Sequence, residues 1–410
     1  MNTAHMETGS VAGNQWVANQ AGSSARQVEK MVLRELRSGD FSHLVVRIER
    51  IEQLVSGHQL RAEDERRLLL LGAEFLEAAG EKRIYLIAEN EPQETKVVRR
   101  AAEGGYGLDA LWNDDYHHTA VVALTGRREA YYTDYTGSVA ELIACAKYGY
   151  LYQGQWYVWQ KKRRGTPGLD LPSHAFVAYI ENHDQVANSA FGRRLHQLSS
   201  PARYRAITAL TLLGPATPLL FQGQEFASSA PFLFFADHRD ELRELIRNGR
   251  REFLSQFASV SDPAVGPSLP SPVDEVTFQK CKLDLNQRKT HAWAYALHCD
   301  LLRLRHDHAT ISSPERIDGA VLRSTAMALR YFGRSEHYLL IVNLGCDLEM
   351  NPAPEPLIAP PGPDGWSLLW SSESIAYGGN GTPPLNQESE WRLPGETAVL
   401  LKGSTAHASA

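Results

Sequence analysis

From Arg83 onward the chain repeats one event: a short apolar run ends abruptly in a polar cluster. RIYLIA (83–88) stops at Glu89-Asn90-Glu91-Pro92, and DALW (109–112) runs into Asn113-Asp114-Asp115-Tyr116-His117-His118. AFVAYI (175–180) runs into Glu181-Asn182-His183-Asp184-Gln185, and TPLLF (217–221) into Gln222-Gly223-Gln224-Glu225. Short, unbroken apolar runs are what strands buried on both faces show. Helical stretches lie between them, at Val139–Tyr148 and at Pro201–Leu213, the latter with Ser200 as N-cap and Pro201 at N1. Strand, polar cluster, helix and next strand make the grammar of a parallel βα array. A doubly wound sheet is the alternative. Recurrence of polar groups after every strand favours a (β/α)8 barrel, whose chemistry sits at those strand ends.

The flanks read differently. Residues 1–24 are small and polar and are expected to be disordered. Residues 25–82 are expected to be a helical segment, because QVEKMVLREL and EDERRLLLLGAEFLEAAG have helical spacing and the second ends at Gly80. HLVVRIERI, between them, fits a strand or a helix equally. The array occupies 83–310 and closes with an amphipathic helix over His291–His306. At 311–410 the alternating runs MALRYFG, HYLLIVNLG, WSLLW and TAVLLK, separated by Pro-rich turns, predict an antiparallel β-sandwich. The fold class is therefore α/β: a partial (β/α)8 barrel followed by a C-terminal sandwich. With the array starting so late, RIYLIA is expected to be an edge strand, or to pair only with HLVVRIERI. An open apolar edge favours association.

Composition narrows the function classes. The 410 residues are 43% apolar, enough for a large core, and the net charge of −6 argues against a dedicated nucleic-acid binder. No apolar run approaches the ~18 residues of a membrane helix, and the first residues do not read as a secretory signal. Cys145, Cys281, Cys299 and Cys346 show no CxxC spacing, and no His cluster has zinc spacing. Scattered thiols suit a reducing cytoplasm. Nucleotide, zinc-protease and serine-hydrolase motifs are missing, so neither a metal nor a cofactor is expected.

Three features carry chemistry. Glu89 ends a buried strand, where partial desolvation raises a carboxyl's pKa and suits it to general-acid work; the plain alternative is a solvated turn carboxylate. Asp184 beside His183 is costly at a strand end unless the two pair with each other, with a ligand or within a buried ion pair. Two carboxyls flanking one bond are what glycoside hydrolysis needs. The third feature is an aromatic tract holding Tyr131, Tyr132, Tyr135, Tyr148, Tyr150, Tyr152, Trp156, Tyr157 and Trp159, many with polar neighbours. Such rings stack on sugars or pack in a core. The adjoining Lys161–Arg164 run reads as a solvated loop.

These motifs together resemble the α-amylase superfamily of (β/α)8-barrel glycoside hydrolases, and within it the malto-oligosyltrehalose trehalohydrolases. The matching stretches include YLIAENEPQ, GLDALWNDDYHHTAVVALTGRREAYYTDY, KYGYLYQGQ, ENHDQVANSAFG, PATPLLFQGQEF and PFLFFADH, then TFQKCKLD, YGGNGTPPL and WRLPGETAVLL. The resemblance implies retaining hydrolysis of the α-1,4 bond next to the trehalose end of a malto-oligosyl trehalose or related α-glucan, within trehalose biosynthesis. It makes Glu89 the general acid/base and Asp184 the third carboxylate, which grips hydroxyls and stabilises the transition state. His183, Asp114, Asp115, His117, His118, Tyr152 and Gln224 are implied to contact substrate. It also implies that the strands present are roughly five to eight. One departure is sharp: the family's nucleophilic Asp sits in a motif like DGLRLDA after the fourth strand, and this chain has none. Arg47-Ile48-Glu49 is a faint echo, with a Glu for the Asp. The expectation is a C-terminal portion of such an enzyme that binds α-glucan and hydrolyses it poorly; a non-catalytic remnant is the alternative.

Overall fold

A computed structural model describes residues 5–7, 43–48, 80–81, 83–262, 265–384 and 391–405. The chain divides into two compact units, residues 1–114 with 152–177, and 115–151 with 178–410. Most of the expected disordered and helical leader, and Glu49 with it, lies outside the described residues.

The first unit is built on β-strands. They are β1 (His5–Glu7), β2 (His43–Ile48), β3 (Arg83–Ala88) and β4 (Ala110–Trp112), then β5 (Trp156–Tyr157), β6 (Lys162–Arg163) and β7 (Phe176–Ala178). Among them β2, β3, β4 and β7 run parallel. β2 pairs parallel with β3 from His43↔Arg83 to Ile48↔Ala88, β3 with β4, and β4 with β7 through Leu111↔Phe176 and Trp112↔Val177. The described part of the run that periodicity left open, His43–Ile48, is thus a strand, and it pairs along RIYLIA. β1 adds to β2 antiparallel, and β5 and β6 form a separate hairpin. Leu86, Ile87 and Ala88, all of β4, and Phe176 and Val177 are buried, which explains why these strands read as continuous apolar runs. The register of β4 is held before it begins. Asp109 Oδ2 accepts from the Leu86 N–H at 2.7 Å while the Asp109 N–H donates to the Leu86 carbonyl at 3.0 Å. Burial pushes that carboxyl's pKa up, and the Leu86 bond opposes the shift.

Among the described residues the second unit holds α1 (Asp114–Thr125), whose first residue belongs to the first unit, α2 (Val139–Tyr148), α3 (His183–Ala187), α4 (Pro201–Leu213), α5 (Asp240–Leu254) and α6 (Ala292–Asp307), together with four short helices. α2 and α4 begin and end where their caps predict. Ser138 Oγ accepts from Glu141 N–H at 3.3 Å, and Ser200 Oγ from Arg203 N–H at 3.1 Å, with Pro201 at N1. Ser200→Ala should cost about 1 kcal/mol of stability, read as a lower urea midpoint. An unchanged midpoint would mean that water replaces the cap. Leu219 of the run after β8 (Thr217–Pro218) donates to the carbonyl of Ala178, the last residue of β7.

The C-terminal residues form β9 (Arg316–Arg323), β10 (Ala326–Phe332), β11 (Glu336–Asn343), β12 (Leu348–Met350), β13 (Ser367–Ser371), β14 (Trp391–Leu393) and β15 (Thr397–Ser404). They make an antiparallel sheet of order β13-β15-β11-β10-β9 and a ribbon, β12–β14. One face, with Ala328, Ile341, Val399 and Leu401, packs in a single cluster with Leu348, Met350, Trp391 and Leu393 of the ribbon. The other is turned to the helices: Tyr331 donates to the Leu213 carbonyl at 2.9 Å. Arg205 of α4 donates to the Ser372 carbonyl at 2.8 Å and pairs with Glu373, all three buried.

Candidate active site

In a parallel sheet all carboxyl ends of the strands share one edge, so the residues after β3, β4 and β7 are the candidates. Glu89 is the first residue after β3 and is half-buried. The chain turns sharply behind it. Asn90 is buried, its side-chain oxygen accepts from Glu94 N–H at 2.9 Å, and Gln93 sits fully buried at φ 60, a conformation uncommon outside glycine. Glu91, the second carboxylate of the cluster, pairs with Arg164 at 2.9 Å and also accepts from Gln160. The Arg164 guanidinium lies 3.6 Å from Asp114, at the start of α1, and 5.0 Å over the Tyr157 ring. A cation thus joins the polar cluster after β3 to the one after β4, and tethers a turn that starts at Glu89. Tyr152 is half-buried with its ring against Tyr157 at 5.3 Å.

Within the second unit the remaining motif residues converge on a buried cluster. His117 and His118 are 2% and 4% exposed, and Asp115 is fully buried, accepting from the Tyr135 hydroxyl at 2.6 Å. His117 Nδ1 lies 2.9 Å from the Ile180 carbonyl and Nε2 lies 3.2 Å from the Tyr132 hydroxyl. A carbonyl only accepts, so Nδ1 carries the proton and Nε2 accepts from Tyr132. His117 stacks on Tyr179 at 5.2 Å, while His118 stacks on Tyr131 at 5.1 Å. Burial pushes His117 down to about 3, and its Ile180 bond only partly opposes that. A lowered histidine pKa leaves stability intact above the ordinary value of 6.5 and removes it as pH falls below. Acidifying from pH 7 to pH 5 should therefore cost about 2 kcal/mol at His117. Urea unfolding at the two pH values, with His117→Phe as control, checks this; an identical pH slope in the variant would refute it.

β7 leads into α3, whose N-cap is Asn182. Its Oδ1 accepts from Asp184 N–H at 3.1 Å and Gln185 N–H at 2.8 Å, leaving His183 and Asp184 half-buried in the first turn. A buried ion pair lies beside this motif. It joins Glu181 to Arg194 at 3.5 Å, and Glu181 also accepts from Leu195 N–H at 2.6 Å. Burial pushes the Glu181 carboxyl up, and Arg194 pulls it back. A cavity of about 240 Å3 lies nearby, lined among others by His117, Tyr132, Gln185, Asn188 and Arg193.

One reading needs correction, and two more gain detail. Arg164 is buried, unlike its exposed neighbours Lys161, Lys162 and Arg163, because two carboxylates and an aromatic face compensate it. The aromatic tract divides: Tyr132, Tyr135, Tyr150 and Tyr157 are core residues, whereas Tyr148, Trp156 and Trp159 are exposed. Gln224 is fully buried and its Oε1 accepts from Phe221 N–H at 3.2 Å, so that contact holds a turn. Among the described residues no group of three or more His, Cys, Asp or Glu is arranged to hold a metal, and no helix is long and apolar enough to cross a membrane.

No family model matches the chain. Its sequence is 37% identical over 269 residues to a malto-oligosyltrehalose trehalohydrolase of Arthrobacter ramosus, covering 63% of this chain and 45% of that one. It is 33% identical over 317 residues to the protein of that name from Mycobacterium tuberculosis, covering 74% and 53%. The chain thus spans about half the length of these relatives. Among solved structures, a protein of Salmonella typhimurium assigned to the α-amylases superposes with a TM-score of 0.73 at 25% identity, over 98% of this chain and 64% of that one. A trehalose-6-phosphate hydrolase of Bacillus licheniformis, at 13% identity and a TM-score of 0.56, covers 95% and 70% and shows the fold alone.

Proposed function

We propose that this chain, a homologue of the malto-oligosyltrehalose trehalohydrolases over about half their length, serves the hydrolysis of the α-1,4 bond that joins trehalose to a malto-oligosaccharide. Its homologues and structural neighbours are glycoside hydrolases of the α-amylase family. The parallel strands are read as roughly the second half of a (β/α)8 barrel, and the antiparallel sheets as its C-terminal sandwich. Glu89 is the general acid/base, protonating the departing glycosidic oxygen and later taking a proton from water. Asp184, with His183, binds sugar hydroxyls and stabilises the oxocarbenium-like charge. Asp114, bridged by Arg164 to the Glu89 turn, shapes the adjoining wall. The buried His117, His118 and Asp115 are assigned to holding the segment after β4 rather than to direct sugar contact, and Tyr152 is assigned to stacking on a sugar ring.

The observation that carries this reading is the strand-end position of the half-buried Glu89, tethered by its turn to the Asp114 cluster. The experiment is a binding and product assay. The chain should bind malto-oligosyl trehalose in preference to a malto-oligosaccharide of equal length, and prolonged incubation should release free trehalose. Glu89→Gln should keep binding and abolish the release. Equal binding of both sugars, with glucose or maltose as the only product, would overturn the proposal.

A further inference from the structure

α5, which follows PFLFFADH, is largely solvent-facing, and of its residues only Leu254 is buried. Arg250 uses both terminal nitrogens of its guanidinium toward another element. Nη1 donates to Asn188 Oδ1 at 2.8 Å and Nη2 to the Ala187 carbonyl at 2.6 Å. Its guanidinium also lies 4.7 Å from the Phe234 ring and 5.3 Å from the Phe253 ring, two half-exposed aromatics that hold it in place. Both acceptors terminate α3, the helix that carries His183 and Asp184. Asp184 is tied to the same end, because its carbonyl accepts from Asn188 N–H at 2.7 Å. Burial pulls the guanidinium down to about 10, and the charges of Asp184 and Tyr131 oppose that pull.

A helix of five residues cannot hold itself, since one turn fixes several dihedrals for a single hydrogen bond. Asn182 secures the first turn of α3. The other end exposes carbonyls, where a cation is favoured, and a planar fork suits two acceptors at once better than an ammonium does. We propose that Arg250 is a positioning residue: from the surface helix α5 it clamps the C-terminal end of α3 and thereby aims Asp184. This rests on the role assigned to Asp184 above. It also gives the PFLFFADH segment a purpose, which is to deliver Phe234 and α5 as the frame for one arginine.

The test compares Arg250→Met, which keeps an unbranched stem between the two rings, with Arg250→Lys, which keeps the charge and one donor. Hydrogen exchange at Val186 and Asn188 should be about tenfold faster or more in Arg250→Met, at an unchanged global midpoint, and partly restored in Arg250→Lys. With malto-oligosyl trehalose, kcat should fall about thirtyfold with KM within about threefold, and Arg250→Lys should recover part of it. Wild-type exchange at those two amides in Arg250→Met would overturn the clamp. Should Arg250→Met not fold, Asn188→Ala, which removes one acceptor, is expected to show the same exchange increase, and its absence would overturn the proposal equally. A wild-type chain that releases no trehalose sinks the functional reading instead, while the exchange data still decide the clamp.

Discussion

The purified chain should release trehalose orders of magnitude more slowly than the ~10 per second of an ordinary enzyme. In the retaining mechanism proposed above, Glu89 would only move a proton and Asp184 would only stabilise charge, so the anomeric carbon would have to be attacked by a third carboxylate. The chain has no Asp in a DGLRLDA-like motif. The nearest substitute is Glu49, which follows β2 in sequence, and β2 ends at Ile48 in register with Ala88, the residue before Glu89. A Glu there is one methylene longer than the Asp it would replace, and displacement of a reacting group by about 1 Å costs about a hundredfold. Without any nucleophile, only positioning and electrostatics remain, and such losses reach several powers of ten. The assay is trehalose release by the wild-type chain beside Glu49→Gln and Glu89→Gln. Turnover near the ordinary rate would contradict the expectation. Slow turnover that Glu49→Gln leaves untouched would favour the reading of a glucan-binding remnant. Slow turnover abolished by Glu49→Gln would make Glu49 an impaired nucleophile.

The parallel array was legible because its strands are buried on both faces, and the apolar runs therefore end sharply at their polar rims. Helix boundaries at Ser138 and Ser200 were legible because their capping hydroxyls bond the backbone locally. HLVVRIERI was ambiguous by periodicity, and its first six residues became a strand through their ladder with β3, a long-range pairing that composition does not encode. Arg164 and Arg194 were missed for a related reason. Each is buried by partners far along the chain, Glu91 and Asp114 for one and Glu181 for the other. Nothing within a few residues distinguishes either from the exposed basic residue preceding it, Arg163 or Arg193. A hint existed at Glu181, an acid that directly follows a fully apolar strand and must find a cation or stay protonated. The aromatic tract misled because a tyrosine's polar neighbours say little when its ring faces inward and its hydroxyl finds a buried acceptor, as Tyr135 does at Asp115.

Arg194→Met should destabilise the chain by about 3–5 kcal/mol at neutral pH, because it strands Glu181 as an uncompensated buried charge. Arg194 is fully buried; its Nε donates to the Ala230 carbonyl at 2.9 Å and its guanidinium lies 5.3 Å from the Phe221 ring. The loss should depend on pH with a definite sign. Burial already holds the Glu181 pKa above its ordinary 4.5 even with Arg194 present. A raised carboxylate pKa means that the folded chain binds the proton more tightly, so this group costs stability as pH rises above 4.5, until the folded pKa is passed. Removing Arg194 raises that pKa further and widens the window. The destabilisation should therefore be smaller at pH 5 than at pH 7.5, where Glu181 cannot take up its proton. Urea unfolding of wild type and Arg194→Met at both values measures it. In a Glu181→Gln background most of the difference should vanish. Any remaining slope belongs to His196, which burial and then Arg194 push down to about 4. With Glu181 intact, equal destabilisation at the two pH values would show that the arginine's packing, and not its charge, holds the turn after β7.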